Sequence, residues 1–253
     1  MVRLSLAVCL LFAACAKKAT LSTSDAAAEI RAGGFRVLLF SRTTGFRHDS
    51  IPAAVAALTE LGATGGYGAE ATEDPSAFTA ENLARFRVVV FLLTTGDPLD
   101  DAAQAQFEAW VAGGGSWVGV HSAADTEYSW PFYGELLGGA YFKQHPAVQP
   151  ATVHVEVADH LATAGLPAAW MRTDEWYDFQ ANPRASATVL MTLDESTYMG
   201  GTMGADHPIV WAHAIGDGGG RAIYTEMGHT IESWADPTFR QHVVGAIRWA
   251  AGP

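Results

Sequence analysis

The sequence predicts a doubly wound α/β sandwich built on a mostly parallel sheet, and three observations carry that prediction. Val37 to Ser41, Val88 to Thr94 and Ser116 to His121 are apolar runs of strand length. Each stops abruptly at a polar cluster: Ser41-Arg42-Thr43-Thr44-Gly45-Phe46-Arg47-His48, then Thr94-Thr95-Gly96-Asp97, then His121-Ser122-Ala123-Ala124-Asp125. A helical pattern follows each cluster. In open α/β sheets ligands bind beyond the carboxyl ends of the strands, so His48, His121 and Asp125 stand where chemistry is expected first.

The elements follow in order. Residues 16 to 33, rich in Ala, Ser, Thr and Lys, read as a tether, and the folded domain is placed over residues 34 to 253. After the first strand, Ile51 to Leu61 carries Pro52 in its first turn and Asp49 or Ser50 as N-cap, with Gly62 as the stop. Ala69 to Thr72 is a short strand and Asn82 to Phe86 a brief helix before Val88. Asp100 to Val111 places Ala103, Phe107, Trp110 and Val111 on one helical face, and Gly113-Gly114-Gly115 ends it. Right-handed crossovers set these strands side by side. Beyond Trp130, strands are expected over Thr152 to Val157, Met171 to Phe179, Thr188 to Leu193, Ile209 to Ala214 and Ala222 to Met227, some of them antiparallel. Phe239 to Trp249 closes the domain as a helix.

Composition narrows the function. With 253 residues, 49% hydrophobic and 17% charged, the chain can bury one large core. A net charge of −12 without a basic run argues against nucleic acid, because a phosphate backbone is bound by clustered Lys and Arg. The N-terminus reads as an export signal: Arg3 is followed by apolar Leu4 to Phe12 and then Ala13-Ala14-Cys15. That stretch is shorter than the roughly 20 residues a membrane-spanning helix needs. It resembles a bacterial lipoprotein signal over residues 1 to 15, with Cys15 as the lipidated residue that ties the protein to the cell envelope. The alternatives are an ordinary cleaved signal of a secreted or periplasmic protein and an uncleaved apolar tail. The two cysteines, Cys9 and Cys15, both fall in this leader, so the domain has no cysteine nucleophile, disulfide or thiolate ligand.

Five clusters hold most of the chemically useful groups: Gly45-Phe46-Arg47-His48, Gly119 to Asp125, Phe142-Lys143-Gln144-His145-Pro146, Thr173-Asp174-Glu175-Trp176-Tyr177 and Met227-Gly228-His229. Together with Asp206-His207-Pro208 and Trp211, they resemble the ThuA-like (trehalose utilisation) family over about Phe35 to Gly252. The resemblance implies a fold similar to the class I glutamine amidotransferases, a flavodoxin-like three-layer sandwich with a sharp turn after one strand. Amidotransferases carry a nucleophilic cysteine at that turn; here His121 stands in its place, which excludes cysteine glutaminase chemistry. His229 matches the other arm of that site by position, while Glu232 is offset from the usual triad spacing.

Histidines and carboxylates without a thiol suit a divalent metal such as zinc, or proton transfer. His121, His229 and Glu175 are the candidate ligands or catalytic groups, and His48 or His145 a candidate acid or base. Asp174 and Glu175 are adjacent and in a strand would face opposite ways; Glu175 is assigned to the site with Tyr177, and Asp174 is expected to be solvated. Arg47, Asp125, Trp130, His145, Trp176 and Tyr177 are candidate substrate-binding residues, the two tryptophans as planes for a sugar ring. His207 is read as structural. The resemblance implies an exported carbohydrate-related enzyme acting on a keto-sugar, glycoside or disaccharide by isomerisation, elimination or hydrolysis. The competing class is a non-catalytic, lipid-tethered module binding carbohydrate or protein.

Overall fold

A computed structural model describes residues 34–252; Cys15, the leader and the whole of the tether lie outside the described residues. The strands are β1 (Phe35–Phe40), β2 (Tyr67–Thr72), β3 (Val88–Leu92), β4 (Ser116–Val120), β5 (Phe142–Gln144), β6 (Gln149–Val155), β7 (Ala169–Asp174), β8 (Asp178–Phe179), β9 (Thr188–Asp194), β10 (Pro208–Ile215) and β11 (Gly220–Thr225). The helices are α1 (Ile51–Gly65), α2 (Ala80–Leu83), α3 (Asp101–Ala112), α4 (Pro131–Leu136) and α5 (Pro237–Ala251). One nine-stranded sheet runs β2-β1-β3-β4-β11-β10-β9-β6-β7. Its first five strands are mutually parallel, in flavodoxin-like order, and the remaining four add antiparallel. β5 and β8 form a separate two-stranded ribbon.

The apolar runs sit at the centre of this sheet because both of its faces are covered, as parallel strands require. Side chains alternate across it: Val37, Leu39, Val88 and Val90 pack on α1 and α5, while Leu38, Phe40, Val89 and Phe91 pack with Phe107 of α3 and Tyr133 of α4. The result is three layers with one apolar core on each side of the sheet.

Three expectations about elements are corrected. α1 continues through Gly62 and ends at Gly66, whose φ of 75° is the left-handed cap. Gly62 is a packing residue, since a Cβ there would come within 2.6 Å of the Tyr67 carbonyl oxygen as the chain turns into β2. The strand expected over Met171 to Phe179 breaks at Glu175 to Tyr177, separating β7 from β8. α4 and β5 are additional elements; α4 is a single short helix opened by Pro131.

Candidate active site

Three histidines arrive at one place because three parallel strands end there. β1 leads to His48, β4 to His121 and β11 to His229. The His48 loop is fixed to the end of β3: Thr43 bridges Thr95, and Thr95 Oγ1 donates to the Phe46 carbonyl at 2.7 Å. Ser50, at the start of α1, makes no side-chain cap; its hydroxyl donates to the Gly228 carbonyl at 3.3 Å and joins this loop to the His229 loop. His121 has φ of 51°, a left-handed conformation uncommon for a residue with a side chain. The turn aims its ring over the sheet edge, and the Tyr224 hydroxyl secures its carbonyl at 2.7 Å.

The ring of His121 is oriented by Nδ1, which donates to the Glu226 carbonyl at 2.7 Å, so Nε2 is the atom presented to the site. Around it stand the Tyr177 hydroxyl at 3.0 Å, His229 Nδ1 at 3.2 Å and Glu175 Oε2 at 3.4 Å. Glu175 Oε2 also meets His229 Nδ1 at 3.1 Å, and its Oε1 meets His145 Nδ1 at 3.1 Å. The His48 ring lies edge-on to those of His121 and His229, with centroids 4.8 and 5.0 Å away, and its Nδ1 is 3.3 Å from the Ser122 hydroxyl. His48, His121, Glu175 and His229 each offer one ligand atom within 4.8 Å of the others.

Electrostatics divide the roles. Burial pushes His48 down to about 3, with the neighbouring charges of His121 and His229 acting in the same direction, so its ring is neutral. Burial alone would raise the Glu175 carboxyl, but hydrogen bonds and charge from His121 and His229 outweigh it and hold the group well below the usual carboxylate range. Burial opposes the charged form of His229, yet the hydrogen bond and charge of Glu175 prevail and raise it.

The residues around this set explain its placement. Asp174 is fully buried, which corrects the expectation of a solvated carboxylate. Its Oδ1 accepts the Glu175 and His229 amides at 3.1 and 3.0 Å, and its Oδ2 accepts the Gly228 amide at 2.9 Å, Arg172 Nη2 at 2.7 Å and the Ser233 hydroxyl at 3.1 Å. Glu226 is also fully buried; its Oε1 accepts the Tyr177 amide at 2.6 Å, and burial raises its carboxyl well above the ordinary range. A second acidic grouping, Asp178, Glu195 and His207, spends its donor atoms internally. His207 joins Glu195 Oε1 at 2.8 Å to the Tyr177 carbonyl at 2.8 Å, while Asp178 accepts the Thr202 amide and the Gln144 side chain. These residues hold the broken strand so that Glu175 and Tyr177 face the histidines. The sequence signal for them is weak: Asp174 is visible only as the neighbour of Glu175.

Among the expected substrate-binding residues, Tyr177 and His145 join the site and Asp125 lies at its rim, its Oδ1 accepting the Tyr128 hydroxyl at 2.7 Å. The other three do not. Arg47 is half exposed and spent on Glu73 at 2.7 Å. Trp130 packs against Phe107 and Tyr133 in one core. Trp176 is fully buried in the other, its indole N–H donating to the Gln149 carbonyl at 2.9 Å. Neither tryptophan offers a plane to a sugar.

Comparison with known proteins agrees with this architecture. A ThuA-like protein from Bacteroides uniformis superposes with a TM-score of 0.72 at 28% identity, over 87% of this chain and 92% of that one. Another, from Parabacteroides merdae, gives 0.70 over 87% and 90% of the two chains, and at 18% identity the likeness is one of fold. No curated protein matches the sequence. The family model described as trehalose utilisation, ThuA, matches residues 36–250, nearly every residue of the folded domain, and on that match the chain belongs to the ThuA family.

Proposed function

We propose that this protein is an exported, lipid-tethered enzyme acting on a keto-sugar, glycoside or disaccharide, with a divalent metal such as zinc held by His121, His229 and Glu175. One observation carries the reading. The edges of the triangle formed by His121 Nε2, His229 Nδ1 and Glu175 Oε2 are 3.2, 3.1 and 3.4 Å. Tetrahedral ligands with bonds of about 2.0 to 2.1 Å lie about 3.3 Å apart. The donor chemistry agrees: with the Nδ1 proton of His121 committed to the Glu226 carbonyl, loss of the Nε2 proton to an arriving cation would leave a lone pair aimed where Glu175 Oε2 and His229 Nδ1 converge. A metal bound there supplies Lewis acidity, polarising a sugar oxygen or lowering the pKa of water.

The remaining groups fit that chemistry. His48 is neutral and buried, suited to complete the ligand set rather than to carry a proton. His145 is exposed and touches Glu175, so it is the group placed to exchange a proton with substrate and solvent. The Tyr177 hydroxyl can turn from His121 to a substrate oxygen. Proton transfer beside a carbonyl, giving isomerisation or elimination, and hydrolysis both use these positions. The sugar class is supported by the family description, and export by the leader from Arg3 to Cys15.

The test is metal analysis of protein purified without added metal, beside His121→Ala and His229→Ala. About one equivalent of metal is expected, lost from both variants together with at least about a hundredfold of activity on the sugar substrate. Metal-free protein whose two variants keep full sugar binding would instead identify a non-catalytic carbohydrate-binding module.

A further inference from the structure

We infer that the site takes a sugar joined to an apolar group, and that a separate subsite for that group lies beside His48 and His229. The inference rests on the carbohydrate reading above and extends it. A cleft of about 270 Å³ opens beside His48 and His229. Its apolar walls come from three loops distant in sequence, Phe46 after β1, Val148 before β6 and Ile231 after β11, with Asp49, Ser50, Thr230 and Glu232 completing the lining. These side chains are 67%, 41% and 53% exposed, and they are three of the seven large hydrophobic residues that the described fold leaves exposed. Isolated exposed apolar residues are ordinary, whereas several converging on one mouth mark a binding surface.

The arrangement is specific to the site. The Phe46 ring meets His48 edge-on with centroids 4.9 Å apart, so the apolar wall is continuous with the buried imidazole that the metal reading uses. His48 and His229 are the more buried part of the lining, within reach of a sugar oxygen, and the three exposed apolar side chains form a collar nearer solvent. The site itself is polar, with the Tyr177 hydroxyl and the His145–Glu175 pair beside His121, as a hydroxylated ligand requires. A ligand filling the site and the cleft therefore carries its hydroxyls toward His48 and His229 and an aryl or branched alkyl substituent toward Phe46 and Ile231. Two sugar units, as in a plain disaccharide, would leave the collar facing hydroxyl groups.

The experiment is calorimetric binding of 1-naphthyl β-D-glucoside, methyl β-D-glucoside and 1-naphthol to the purified protein, to Phe46→Ala and to Ile231→Ala. Both residues are exposed, and unchanged melting temperatures will show that the variants fold. The naphthyl glucoside is expected to bind at least about tenfold tighter than the methyl glucoside, and each variant to remove most of that advantage while leaving methyl glucoside binding unchanged. Equal affinity for the two glucosides, or an advantage that survives both substitutions, overturns the subsite. Binding of naphthol alone, lost in Phe46→Ala, with neither glucoside bound more tightly than naphthol, keeps the apolar subsite and defeats the carbohydrate reading. Failure of all three probes overturns the inference. A dimer that becomes monomeric on Phe46→Ala would assign the collar to a second copy of the chain and overturn it too.

Discussion

Asp174 holds the candidate site together through the backbone of its residues. It gathers the amides of Glu175, Gly228 and His229, so one carboxylate sets both a ligand from the broken strand and a ligand from the loop after β11. Asp174→Asn keeps the volume but replaces one acceptor oxygen with a donor, facing Arg172 or the backbone amides. A loss of about 2 to 4 kcal/mol in urea unfolding is expected, with a matching fall in metal retention. A second buried carboxyl, Glu127, titrates differently. Burial pushes it up to about 7 from 4.5, against hydrogen bonds from the Leu99 amide and Gln104. Its contribution to stability is whole below the unfolded value and is lost as pH rises through the folded value, so Glu127→Gln should gain about 2 to 3 kcal/mol at pH 8 and almost nothing at pH 4.5. Paired unfolding curves at the two pH values check the sign. His121 and His229 are legible in the sequence because one ends an apolar run and the other follows a glycine, and His48 because it lies in the polar cluster after the first run. Asp174 is not, because strand alternation alone sends the neighbour of Glu175 toward solvent, whereas the far side of that strand is covered by α5 and the loop before it.

At the level of elements, the sheet is readable wherever strands are buried on both faces, since a short unbroken apolar run bounded by polar clusters matches a strand covered on each side. Sequence and structure part where tertiary contacts override local pattern. Met171 to Phe179 looks like one strand, but Asp174 captures the Glu175 amide and Glu226 captures that of Tyr177, so the chain kinks and starts β8 afresh. α5 shows the same dependence on context. Gly245 lies mid-helix, where alanine is ordinarily favoured by about 1 kcal/mol. A Cβ there would run into the Leu161 carbonyl oxygen and lie 2.9 Å from the Ala162 Cα, both backbone atoms that cannot swing aside. Gly245→Ala is therefore expected to destabilise by about 1 to 3 kcal/mol despite its helix propensity, read as a lowered melting temperature.

For the whole molecule, histidines buried in the uncharged form set the acid limit. His242 is fully buried, and burial takes it down to about 4, ahead of the opposing hydrogen bond to the Ala162 carbonyl. Its folded value lies below that of the unfolded chain, so the unfolded state binds the extra proton as pH falls from about 6.5 to 4. That single group should cost about 3 kcal/mol across the window, and His160, moved in the same direction by burial, adds to it. Because Glu127 gains stability over the same window, the check is a difference: the unfolding free energy of the protein relative to His242→Asn, measured at pH 7, 6 and 5, is expected to fall steadily, and a flat difference would contradict the burial of this ring. Among the described residues, no helix is long and apolar enough to cross a membrane.

The ends of β1, β4 and β11 supply the three histidines, and β11 is the last strand in chain order. During synthesis, a nascent domain that has already paired β1, β3 and β4 still lacks one corner of its reaction centre. Competence therefore depends on the final strand, which sits between β4 and β10, and a chain cut short before residue 220 loses the third histidine together with the strand that joins the two halves of the sheet and the helix, α5, that covers one face.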